Sequence, residues 1–134
     1  MNPAIIAALI ITVLLLGTVI IPAINKNQFN KLSFEQKVRI LMKEANGLIY
    51  FKNVASNNEG KLYYVKNKRR IYIYPWVMSG GNMLCTREDL FICWDYPDEE
   101  ITFTEEEITQ ALEELEKYNS KNKVKLIINY EAEQ

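Results

Sequence analysis

Residues 3–24 form one unbroken apolar run, from Pro3 through Ile24, with no Asp, Glu, Lys or Arg inside it. No other feature constrains the organisation of the chain as strongly. At 1.5 Å of rise per residue the run makes a helix of roughly 33 Å, enough to cross a hydrocarbon core of about 30 Å. A core helix of a small domain would show a polar face, and this run has none. A cleaved signal peptide asks for basic residues before the apolar stretch and small residues at the cleavage site. Only Met1 and Asn2 precede the run, and Ile21 stands two positions before Ala23. The expectation is a single-pass transmembrane anchor over 1–25, a polar linker over 26–32 and a soluble α+β domain over 33–134.

Flanking charge sets the expected orientation. Lys26, Lys31, Lys37, Arg39 and Lys43 follow the run and no basic residue precedes it. The positive-inside rule then puts the N-terminus outside and the C-terminal domain in the cytoplasm, with the lipid bilayer as a partner through residues 3–24. The rest of the chain is rich in Tyr, Ile, Leu and Val and poor in Gly and Pro, a composition that builds a core. Its charge is uneven. Residues 1–84 carry 11 basic and 3 acidic side chains, whereas residues 85–134 carry 5 and 14. The expectation is that the two halves compensate within one fold; the alternative is a basic half turned to anionic headgroups.

Ser33 and Gln36 match a capping box, and Phe34, Val38, Leu41, Met42 and Ala45 recur on one face of the helix that follows, which Asn46-Gly47 stops. Strands are expected over 48–54, 61–66, 70–77, 83–86 and 90–96, with turns at 56–60, 67–69 and 79–82. Pro75 would place its strand at an edge or end it. Thr104 and Glu107 form a second capping box, and Ile108, Ala111, Leu112, Leu115 and Tyr118 give that helix an apolar face. A last strand is expected over 124–130. The order α-β-β-β-β-β-α-β describes an α+β domain whose two helices cover one face of a mostly antiparallel sheet.

The chain contains no histidine, which removes the commonest general base, a common zinc ligand and the His-paired nucleophiles. It has no Walker A loop and no GxGxxG motif; Ser79-Gly80-Gly81-Asn82 is a turn. Asp95, Asp98, Glu99 and Glu100 do not follow EF-hand spacing and read as a solvated acidic loop. No catalytic residue, cofactor or metal is expected. Cys85 and Cys93 flank a turn centred near Asp89, where a hairpin would set them opposite each other; a reducing cytoplasm would keep them as thiols.

Two surface features remain. Tyr72, Tyr74 and Trp76 alternate with Ile71, Ile73, Pro75 and Val77, so one strand face is aromatic and the other aliphatic. The aromatic face is either packed in the core or a partner surface. Lys66, Lys68, Arg69 and Arg70 form a basic hairpin tip, either solvated or in contact with the membrane surface; nucleic acid is not expected. The functional expectation is a non-catalytic protein-binding module at the cytoplasmic membrane face. The alternative is an exported or outward-facing binding or protective domain closed by a Cys85–Cys93 disulfide.

Overall fold

The computed structural model describes residues 26–131. The anchor expected over 1–25 lies outside the described residues, and among those described no helix is long and apolar enough to cross a membrane. The described residues fall into two units, 26–31 and 32–131. In the first, α1 spans Lys26–Lys31, so the residues read as a polar linker carry six residues of helix.

The second unit is an α+β domain. Its elements are α2 (Phe34–Glu44), β1 (Ile49–Ser56), β2 (Glu59–Lys66), β3 (Arg70–Ser79), β4 (Asn82–Cys85), α3 (Glu105–Lys121) and β5 (Leu126–Ile127). The five strands lie in the order β1-β2-β3-β4-β5. The first four form an antiparallel meander, and β5 pairs with β4 in parallel, Met83 beside Leu126 and Leu84 beside Ile127.

Local chemistry explains the boundaries. Both capping boxes form: the Gln36 amide donates to Ser33 Oγ at 3.2 Å and the Glu107 amide to Thr104 Oγ1 at 3.1 Å, each with its reciprocal bond. The hairpins turn through left-handed residues, Asn57 at φ 60°, Asn67 and Lys68 at 56° and 54°, and Gly80 and Gly81 at 60° and 84°. Such turns match the right-handed twist of paired strands.

Side-chain alternation then builds two cores. Phe51, Leu62, Tyr64, Tyr72, Tyr74, Trp76 and Met83 point to one face, where they pack with Ala111 and Leu115 of α3. Tyr50, Lys52, Val54, Tyr63, Val65 and Ile71 point to the other. There Tyr50 and Lys52 donate to Glu44 of α2 at 2.7 and 3.0 Å, and Val38, Leu41 and Ala45 are buried. The helices therefore cover opposite faces, not the same one as expected. The reason is that β2 and β3 bury both of their faces, and each face needs its own helix.

Three further strand expectations change. Residues 90–96 do not form a fifth meander strand: Phe91 sits at φ 57°, outside the extended region, and only single bridges remain, Ile71 with Tyr96 and Cys93 with Thr102. The segment instead packs Leu90, Phe91 and Trp94 into the core. The amides of Asp95 and Tyr96 both donate to the Ile71 carbonyl, along the part of β3 that short β4 does not reach. Pro75 lies in a central strand. Its carbonyl faces the β4 side and accepts from Thr86 just past the end of that ladder, so its missing N–H forfeits no strand pairing. The last strand shrinks to two residues. Asn119 binds both backbone groups of Leu126, at 2.9 and 3.0 Å, and closes that edge of the sheet.

Candidate functional site

The residues singled out from sequence fall into two groups. Tyr72, Tyr74 and Trp76 are core: their exposures are 0%, 0% and 3%. They form no exposed aromatic surface, because α3 and the 90–103 segment cover that face of β3. Tyr72 meets Phe103 edge-on at 5.0 Å and stacks on Phe91 at 5.4 Å, and Trp76 Nε1 donates to Asn53 Oδ1 at 2.9 Å. The hydroxyls of Tyr64 and Tyr74 find no hydrogen-bond partner among the described residues, and burial pushes the ionisation of Tyr74 well above its ordinary value.

The basic hairpin tip is divided. Lys66 and Arg70 both pair with Glu107 in the first turn of α3, and Arg70 also lies over the Trp94 ring at 5.5 Å. Burial of Glu107 opposes its charge. The Thr104 amide, Arg70, Trp94 Nε1 and Lys66 outweigh that and hold its carboxyl below the ordinary range. Lys68 and Arg69 are exposed and have no ion pair among the described residues. The tip therefore offers two free cations, not four.

The cysteines do not face each other. Cys85 is registered with Trp76 and Cys93 bridges Thr102, so the hairpin that would oppose them is absent, and both are free thiols. Burial pushes the Cys85 thiol up. In the acidic loop Asp98, Glu99 and Glu100 are exposed as expected, and only Asp95 departs from that reading. Asp95 accepts from the Ile73 amide at 2.7 Å and from Arg87 at 2.8 Å, while Arg87 reaches the Ile73 carbonyl and lies 4.2 Å from the centre of the Tyr72 ring. Burial opposes the Arg87 charge, and the Asp95 carboxylate outweighs it. This ion pair clamps the loop to β3 and is structural. Among the described residues, no group of three or more Cys, Asp or Glu is placed to hold a metal ion.

Two concave features flank α3 among the described residues, one of them polar and lined by Lys66, Thr104, Gln110 and Glu113, the other apolar. The apolar one was not read from sequence. It is a groove of about 720 Å³ beside α3, lined by Leu90, Phe91 and Ile92 on one side and by Ile108 and Leu112 on the other, with Tyr130 against Phe91 at 5.0 Å. Ile92 is 57% exposed there. Glu88, Glu105 and Glu131 stand around it, all exposed, and no Lys or Arg lines it. Phe91 holds its left-handed backbone against a cost of about 1–3 kcal/mol, offset by its amide's bond to Tyr72 Oη at 2.8 Å and by four aromatic neighbours. The signal available in sequence was the apolar triplet Leu90-Phe91-Ile92 beside Glu88; strand periodicity absorbed it.

The two sheet faces also differ in charge. The α2 face carries Lys37, Arg39, Lys43, Lys52 and Lys61 against Glu35 and Glu44. The outer side of α3 carries Glu105, Glu106, Glu113 and Glu116, with Lys117 and Lys121 exposed toward its C-terminal end. The basic and acidic parts of the sequence thus lie mainly on opposite faces of the sheet, and they meet where Lys66 and Arg70 pair with Glu107. Comparison with protein-family models, with curated proteins and with solved structures gives no match. The class defined by the described residues is an α+β domain with a curled, mostly antiparallel five-stranded sheet between two capped helices.

Proposed function

We propose that this chain is a single-pass, membrane-anchored binding module, with residues 3–24 in the bilayer and the folded domain at the cytoplasmic face, and that it acts without catalysis. The observation that carries the reading is the acid-rimmed apolar groove beside α3, on the sheet face opposite the basic α2 layer. Supporting the membrane part are the uncharged run at 3–24 and the cations that follow it. A domain tethered this way meets partners at raised local concentration, so a weak groove suffices. Lys68 and Arg69 add about 1 kcal/mol each near an anionic surface.

Attachment and orientation are tested together. The intact protein is expected to stay with membranes through high salt and alkali and to yield only to detergent. A reporter fused after Gln134 is expected to be active only in the cytoplasm. Recovery of mature protein beginning after Ala23, or an external reporter, would overturn the reading.

A further inference from the structure

We infer that the groove beside α3 receives a basic, amphipathic segment of a partner protein, apolar side chains against Leu90, Ile92, Ile108 and Leu112 and Lys or Arg side chains against the rim. This rests on the reading of the chain as a protein-binding module and names the chemistry of its partner.

Charge complementarity carries the inference. Glu88, Glu105 and Glu131 surround the groove, and none has an ion-pair partner among the described residues. Glu107, two residues beyond Glu105 on the same helix, shows what compensation looks like here: it holds Lys66 and Arg70 together. The rim carboxylates have no such ion-pair partner among the described residues. Glu106 and Glu113 extend the same sign of field along the outer side of α3. An acidic or neutral segment would leave that field unanswered, while Lys and Arg on the flanks of an apolar stripe would complete it. The floor is equally selective. Ile92 at 57% exposure lies next to nearly buried Leu90 and Phe91, an exposed apolar step on a fixed base. Ile108 and Leu112 are four apart on α3 and offer parallel purchase to residues spaced one turn apart on a partner helix.

The test uses the purified full-length chain and two synthetic amphipathic helices with the same leucine stripe, one with lysine on its other face and one with glutamate. The lysine peptide is expected to bind roughly tenfold or more tightly than the glutamate peptide at low salt, with the difference shrinking as salt rises. The triple variant Glu88→Gln, Glu105→Gln, Glu131→Gln is expected to lose that preference with an unchanged melting temperature. Ile92→Ser is expected to weaken binding of the lysine peptide with the fold intact. Equal, Ile92-dependent binding of both peptides would overturn the charge inference and leave the binding-module reading standing. Absence of binding by either peptide would overturn both. A concentration-dependent dimer that Ile92→Ser abolishes would assign the groove to a second copy and overturn the inference.

Discussion

The backbone amide of Phe91 donates to the hydroxyl of Tyr72 at 2.8 Å, joining a loop residue in left-handed conformation to the centre of the sheet. Tyr72 is fully buried, and its hydroxyl lies near the Asp89 carbonyl at 3.5 Å as well. One core side chain thus fixes the wall of the candidate groove. Tyr72→Phe is expected to leave the Phe91 amide unpaired at a cost of about 1–3 kcal/mol. Chemical denaturation reads the loss, and amide exchange at Phe91 is expected to quicken more than exchange in β2. Equal quickening across the sheet would show that the bond does not act locally.

Glu107 gives the domain a defined acid sensitivity. Its folded-state carboxyl titrates below the ordinary range, because the Thr104 amide, Arg70, Trp94 and Lys66 outweigh the burial that works against its charge. A group with a depressed folded value contributes stability that is fully present above the unfolded value, roughly 4.3. That contribution falls as pH drops through the folded value. Glu107→Gln keeps a side chain able to close the capping box and removes the charge. Its stability deficit is expected to be about 1 kcal/mol at neutral pH and to shrink below pH of about 4. Urea titrations across the acid range check the convergence; a deficit that persists unchanged at low pH would assign the loss to packing.

Gly60 is required for the close approach of β1, β2 and β3. A Cβ built there would overlap the Val54 carbonyl oxygen and lie 2.6 Å from Trp76 Cζ2. Backbone and a buried indole cannot give way cheaply, so Gly60→Ala is expected to cost about 1–3 kcal/mol. The same substitution at Gly47, where nothing lies within 4 Å but φ is 140°, tests backbone strain without a clash. Melting curves of the two variants separate the effects.

Cys85 is expected to resist alkylation in the native protein, since burial raises its thiol and a thiol must ionise to react. After denaturation without reductant, both Cys85 and Cys93 are expected to alkylate fully. Mass spectrometry of freshly prepared protein reads the count. A bridged pair would contradict the register that sets Cys85 beside Trp76 and Cys93 beside Thr102.

Much of the local structure was legible from the residues. The capping boxes at Ser33 and Thr104, the apolar stripe of α3, the turns at 67–69 and 79–82 and the meander of four strands all follow from short-range chemistry. Residues three or four apart on a helix, or two apart on a strand, lie on one face whatever the rest of the chain does. The apolar run at 3–24 is equally a property of the sequence alone.

Only the tertiary structure decided what each face meets. Tyr72 and Ile71 share a strand, and periodicity alone could not say that α3 takes one side and α2 the other. Leu90 to Tyr96 has the composition of a strand, but β4 pairs with only the last four residues of β3. The remainder of that edge was open to a loop whose Asp95 and Arg87 lock onto Ile73. Pro75 reads as an edge signal, yet its nitrogen lies on the β4 side, just past the end of that ladder. The groove arises the same way: Glu88, Glu105 and Glu131 are far apart in sequence, and only the packing of Phe91 on Tyr72 and Tyr130 brings them round one apolar floor. Propensity and periodicity act over a few residues, whereas partner choice among buried surfaces is settled by the whole core at once.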